Sequence, residues 1–161
     1  CSRGPRCAQD YQSRISGPFM DRIDLFYETP PVTAVDLSLP APAEGSAEVR
    51  ARVARAREVQ AARYAETGEG RRPVNADMPP GALDTLAQPD APGAALLADA
   101  AMKLALTARG YTRVLKVARR IGDGDGADTV RRVHIAEALS YRHRPAGEGS
   151  TALPGRTALA R

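Results

Sequence analysis

Between Asp90 and Ile121 the apolar residues of this chain recur with the period of a helix twice in succession, which commits this stretch to helix packing. Asp90 and Pro92 open the first helix, where Leu96, Leu97, Ala100, Ala101 and Leu104 share one broad apolar face. Thr107 ends that helix and caps the next, in which Val114, Val117, Ala118 and Ile121 follow i, i+3, i+4, i+7. Opposite them, Arg109, Arg113, Lys116 and Arg120 form a narrow basic stripe. Arg109 carries the most weight, because a cation in the first turn opposes the helix dipole at a cost of roughly 0.3–1 kcal/mol. Capped N–H groups beside a cation make a natural phosphate site, so Arg109, with Arg113 one turn on, is the candidate for binding an anionic cofactor.

Helices of this kind must pack on alanine, since the 161 residues hold no tryptophan and only 4% aromatics. That length suits one domain, or one small domain with appendages. With 14 glycines and 13 prolines, a good part of it is expected to be loop or tail. The formal charge of +4 permits an anionic partner without requiring one. Only Lys103 and Lys116 among the 23 basic residues are lysines, a skew that reads as GC-rich coding. The arginine count is therefore weak evidence for nucleic-acid binding.

Near the start, Arg14-Ile-Ser-Gly-Pro-Phe-Met-Asp-Arg-Ile-Asp-Leu25 places two arginines and two aspartates around a helix start. Pro18 suits a first helical turn, and a short helix over 18–22 is expected. Ile23, Leu25 and Tyr27 then alternate with Asp24, Phe26 and Glu28, a strand-like run. Arg22 thus stands at a helix-to-strand corner. A guanidinium fixed there either pairs with Asp21 or Asp24, or reaches a phosphate presented by a neighbour as an arginine finger does.

Pro30, Pro31, Pro40 and Pro42 bracket residues 32–39, which leaves room for a short extended piece before a linker to Gly45. A long helix follows from Ser46 to about Tyr64, with Val49, Val53, Ala56 and Gln60 at helical spacing and arginines on both flanks. Its basic surface reads as a solvated face, with phosphate tracking as the alternative. Residues 68–80 form a polar break and 83–86 a short helix. Gly122-Asp-Gly-Asp-Gly126 reads as a turn, lacking the further carboxylates of a calcium loop. The last helix spans about 133–141, with His134 and Glu137 read as an exposed pair rather than metal ligands. A disordered tail is expected over 145–161.

No apolar run approaches the ~20 residues that span a membrane, no signal peptide is visible, and the first residue is Cys. These features read as a cytoplasmic fragment of a longer chain. Cys1 and Cys7 leave two readings open, half of a four-ligand zinc site or two incidental thiols. No G-x-x-x-x-G-K-[ST] loop, Ser/His/Asp set or Cys/His pair is present, so the fragment by itself is not expected to be an active enzyme.

Three blocks occur in order along residues 1–142. They are the Cys1–Cys7 segment running into Arg14–Leu25, Ser46-Ala-Glu-Val-Arg-Ala-Arg-Val53, and Leu106-Thr-Ala-Arg-Gly-Tyr-Thr-Arg113 leading to His134-Ile-Ala-Glu-Ala-Leu-Ser-Tyr-Arg142. Together they closely resemble the later part of magnesium-chelatase-like AAA+ ATPases, the YifB/ComM family. The resemblance implies a mainly α fragment: the truncated end of an AAA+ α/β core over 1–40, with a short helix and one or two strands, then an all-α helical lid over 41–144. It implies a P-loop upstream, ATP with Mg2+ as cofactor, and a homo-oligomeric ring, six subunits in such ATPases. Arg22 would be the arginine finger and Arg109 the second-sensor arginine, catalytic residues both. Cys1 and Cys7 would be two ligands of a four-cysteine zinc cluster. The function implied is ATP-driven remodelling of DNA, as in branch migration. Magnesium insertion into a porphyrin, and a non-enzymatic helical module that binds nucleic acid, are the alternatives.

Overall fold

The structure is a computed structural model that describes residues 14–27, 29–40, 43–66 and 74–142. Its elements are α1 (Gly17–Met20), α2 (Ala34–Ser38), α3 (Ser46–Glu66), a 3-10 turn (Asn75–Asp77), α4 (Pro80–Leu86), α5 (Ala91–Lys103), α6 (Ala108–Gly124) and α7 (Arg132–Ser140). The described residues are mainly α and contain no strand. Cys1, Cys7 and the tail expected over 145–161 lie outside them.

Short-range chemistry sets most helix ends. Ser16 caps α1 through its hydroxyl and Asp90 caps α5 by accepting the Gly93 N–H at 2.7 Å. The link between α5 and α6 is only four residues long, Leu104 to Thr107. Ala105 adopts the left-handed region (φ 48°), Leu106 N–H returns to the Ala101 carbonyl at 3.0 Å, and Thr107 then caps α6. This is a Schellman ending with alanine where glycine is usual.

Helix α6 is the hub. It packs against α3, the 3-10 turn, α4 and α7, while α5 lies on α7. Val114, Leu115 and Ala118 of α6 are buried against Tyr64, Met78, Leu83, Ala87, Leu97, Val130, Ile135 and Ala138. A single bridge, Pro89 to Val130, closes the base of α5 against the loop before α7.

Three expectations are corrected. Residues 23–27 are extended but join no strand ladder, because no described segment offers a ladder edge; they are held on the helices instead, with the Phe26 N–H donating to the Tyr141 carbonyl at 2.8 Å. Residues 34–38, expected as extended, form α2 because Thr33 and Asp36 build a capping box, each side chain accepting the other's backbone N–H. The 122–126 segment, expected as a turn, continues α6 as far as Gly124, because Asp123 is drawn into the core rather than out to solvent.

The capping box makes a prediction. The Thr33 side-chain bond, then its backbone N–H, holds the Asp36 carboxyl below its ordinary 3.8. A depressed carboxylate contributes stability above the unfolded value and loses it as pH falls through the lower, folded one. Amide resonances of 33–38 are therefore expected to stay helical at neutral pH and to shift toward coil only below about 3.8. A helical pattern unchanged down to pH 2 would contradict the box.

Candidate functional site

Asp21, Ile23, Asp24 and Phe26 follow α1 and dock on the beginning of α6 and the end of α7. Thr107 stands at the centre of this seam. Its Oγ1 accepts the Gly110 N–H at 3.0 Å and donates its own proton to Asp21 Oδ2 at 3.1 Å. Asp24 pairs with Arg113, one turn into α6. At the end of α7, Arg142 donates to the Ile23 carbonyl at 3.3 Å and lies 3.8 Å from Asp21. Gly110 makes room for it, since a Cβ there would meet Arg142 Nη2 at 3.3 Å.

Arg22 is exposed, and its guanidinium donates to the Pro18 carbonyl at 2.9 Å. The ion pair that sequence reasoning offered as its ordinary role is not formed: Asp21 binds Thr107 and Arg142, and Asp24 binds Arg113. Arg109 is the second residue of α6 and is also exposed, its guanidinium making no ion pair with any described residue. Thr107 satisfies the Gly110 N–H and, by its carbonyl, that of Tyr111 at 2.8 Å. The N–H groups of Ala108 and Arg109 have no acceptor within the helix. Arg113, the other anion candidate, is half-buried and committed to Asp24.

Sequence reasoning missed a buried polar cluster on the far side of α6. Asp123, 3% exposed, gathers Arg119 Nε at 2.9 Å, Asn75 Nδ2 at 2.7 Å and a two-pronged contact from Arg63. Arg119 is 1% exposed and also donates to the carbonyls of Asp128, at 2.7 Å, and Ala127. Burial pushes the Arg119 guanidinium down from its usual value, and Asp123 draws it back. The only local signal was the i, i+4 spacing of Arg119 and Asp123. This cluster ties α3, the 3-10 turn and the 127–128 loop to α6, a structural role.

His134 is corrected as well. It is 1% exposed and does not pair with Glu137. Its Nδ1 accepts the Arg131 N–H at 3.0 Å at the start of α7, and its Nε2 lies 3.3 Å from Asp125. Glu137 instead accepts the Tyr141 hydroxyl at 3.2 Å. No cluster of three or more metal-ligating side chains occurs among the described residues. No described helix is long and apolar enough to cross a membrane. A cleft of about 490 Å³ between α3 and the end of α6 carries both signs of charge, with Arg52, Arg57 and Arg120 facing Glu44, Asp125 and Glu137.

Two family descriptions match the chain: "Magnesium chelatase, subunit ChlI C-terminal" over residues 43–142, and "Magnesium chelatase, subunit ChlI" over residues 1–37. An uncharacterized protein YifB of Escherichia coli K12 is 37% identical over 133 residues, covering 82% of this chain and 25% of that protein. Competence protein ComM of Haemophilus influenzae Rd is 35% identical over 139 residues, covering 86% of this chain and 26% of ComM. The chain spans about a quarter of the length of these curated relatives.

Proposed function

The chain belongs to the magnesium-chelatase-like YifB/ComM family, and from that premise we propose that it is the interface-and-lid part of a ring-forming AAA+ ATPase that remodels DNA. The observation that carries the proposal is the state of Arg22. Both aspartates beside it are engaged elsewhere, while its own guanidinium stays exposed on a carbonyl. Such a cation is ready for an anion supplied from outside the subunit.

In this reading residues 1–40 end the ATPase core, 41–144 form the lid and 145–161 a tail. Arg22 approaches the γ-phosphate of ATP on the next subunit of a hexameric ring, where it stabilises charge on the transferring group. Arg109 contacts the nucleotide of its own subunit from the lid, and the unsatisfied N–H groups at the start of α6 fit such an anion. Bound Mg2+ and ATP would supply the phosphoryl group and the neutralising charge. Arg113 is held by Asp24, so the nucleotide contact falls on Arg109. Cys1 and Cys7 would give two of the four thiolates of a tetrahedral zinc site. The exposed arginines of α3, among them Arg50, Arg55 and Arg57, suit a DNA backbone.

Steady-state ATPase of full-length rings, with and without DNA, tests the proposal. Arg109→Ala is expected to lower turnover roughly 10²–10³-fold, the scale of losing one pre-aimed donor. Unchanged turnover would remove Arg109 from the site. ATPase that depends on added chelatase partner subunits, and ignores DNA, would favour the porphyrin reading.

A further inference from the structure

Resting on that assignment of Arg22, we propose that Asp21 and Asp24 are positioning residues that clamp the Arg22 segment to the Arg109 end of α6, so that the pose of Arg22 follows nucleotide occupancy at Arg109. The residues on either side of Arg22 are held by the lid and Arg22 itself is not. Asp21 takes the hydroxyl proton of Thr107, the residue that caps α6. Asp24 takes Arg113, and the backbone at Ile23 and Phe26 is fixed by Arg142 and Tyr141 at the end of α7. One hydroxyl therefore serves two masters: it holds the first turn of α6 together and it holds Asp21.

The consequence is mechanical. A phosphate drawn onto Arg109 and the free N–H groups of Ala108 and Arg109 shifts or stiffens the first turn of α6. Thr107 and Arg113 belong to that turn and the next, so the shift is delivered to Asp21 and Asp24. Arg22 lies between those two aspartates in the chain and must move with them. Arg109 serves the subunit's own nucleotide and Arg22 the neighbour's, so the clamp would pass nucleotide state from one site to the next. Each bond is individually weak, the Asp24 carboxylate being half exposed. Stiffness comes from closing a short segment at four points.

The test compares Asp24→Arg, Arg113→Asp and the two combined. In the 161-residue chain, amide exchange at Phe26 reports the clamp directly, because that N–H is held only while the segment is docked. Each single reversal is expected to speed it roughly tenfold, and the combination to restore it. In full-length rings each single reversal is expected to lower kcat roughly 10²-fold with KM unchanged, the signature of a misplaced group, and the combination to recover it. Asp21→Asn, which keeps an oxygen for Thr107, is expected to retain turnover where Asp21→Ala loses it. This pair decides the matter if the swapped chain fails to fold. Exchange at Phe26 untouched by the single reversals, or kcat unmoved in them or in Asp21→Ala, overturns the clamp. Full turnover in Arg22→Ala rings is a separate failure, of the Arg22 assignment, and it also removes the purpose of the clamp.

Discussion

Rings built from Arg22→Ala subunits are expected to bind ATP normally and to lose roughly 10³–10⁵ in turnover, the range over which a finger arginine acts in phosphoryl transfer. The loss would not come from unfolding, because the Arg22 guanidinium is exposed and, among the described residues, hydrogen-bonds the Pro18 carbonyl. Substitutions at such surface positions usually move stability by no more than about 0.5 kcal/mol. Arg22→Lys is expected to rescue little, since an ammonium lacks the planar fork that grips two phosphate oxygens. Mixing provides the decisive arm. Subunits with Arg22→Ala and subunits disabled in their nucleotide-binding loop are each expected to be inactive in a pure ring. In a mixed ring some interfaces would receive an intact nucleotide site from one subunit and an intact Arg22 from the next, and turnover is expected to return. Pure Arg22→Ala rings that hydrolyse ATP near the natural rate would sink the assignment.

The second large effect is on stability and needs only the chain itself. Asp123→Ala removes the one carboxylate that gathers Arg63, Arg119 and Asn75. Arg119 is then left charged and 1% exposed with only two carbonyls for company. Breaking a buried pair in this way costs roughly 3–5 kcal/mol. That is a large part of the 5–15 kcal/mol typical of a domain. Thermal unfolding is expected to begin at least about 10 °C lower, or the chain to be unfolded at room temperature. Adding Arg119→Met should return part of the loss, because an apolar side chain in that space has no charge to compensate. A melting temperature within about 2 °C of the natural chain would show the cluster to be ornamental.

What was legible in the sequence was what depends on neighbours a few residues apart. The caps at Asp90 and Thr107 and the apolar period from Leu96 to Ile121 gave the successive helices α5 and α6. The Thr33–Asp36 box was equally local, but the prolines around it argued for extended chain. Glycine and aspartate at 122–126 argued for a turn, and tertiary attraction between Asp123 and two arginines overrode them. His134 read as a surface residue because nothing nearby announces that its ring caps α7. The candidate arginines stood out by type and place, yet their wiring did not. Asp21 meets Thr107 across 86 residues and Asp24 meets Arg113 across 89, distances at which spacing carries no information.

Among the described residues, helix α3 is buried toward one end only. Gln60 and Tyr64, in its last two turns, are its buried residues, and Arg63 fastens that end to Asp123. Toward its start, Val49 and Val53 are 39% and 45% exposed. From Ser46 to Gln60 the helix reaches about 21 Å beyond its fastening. Its geometry is that of an arm fastened at the Arg63–Asp123 pair. A tilt of about 10° there would sweep the first turn, and the arginines that follow it, through about 4 Å, so a small change seated in α6 would be enlarged at the tip of α3.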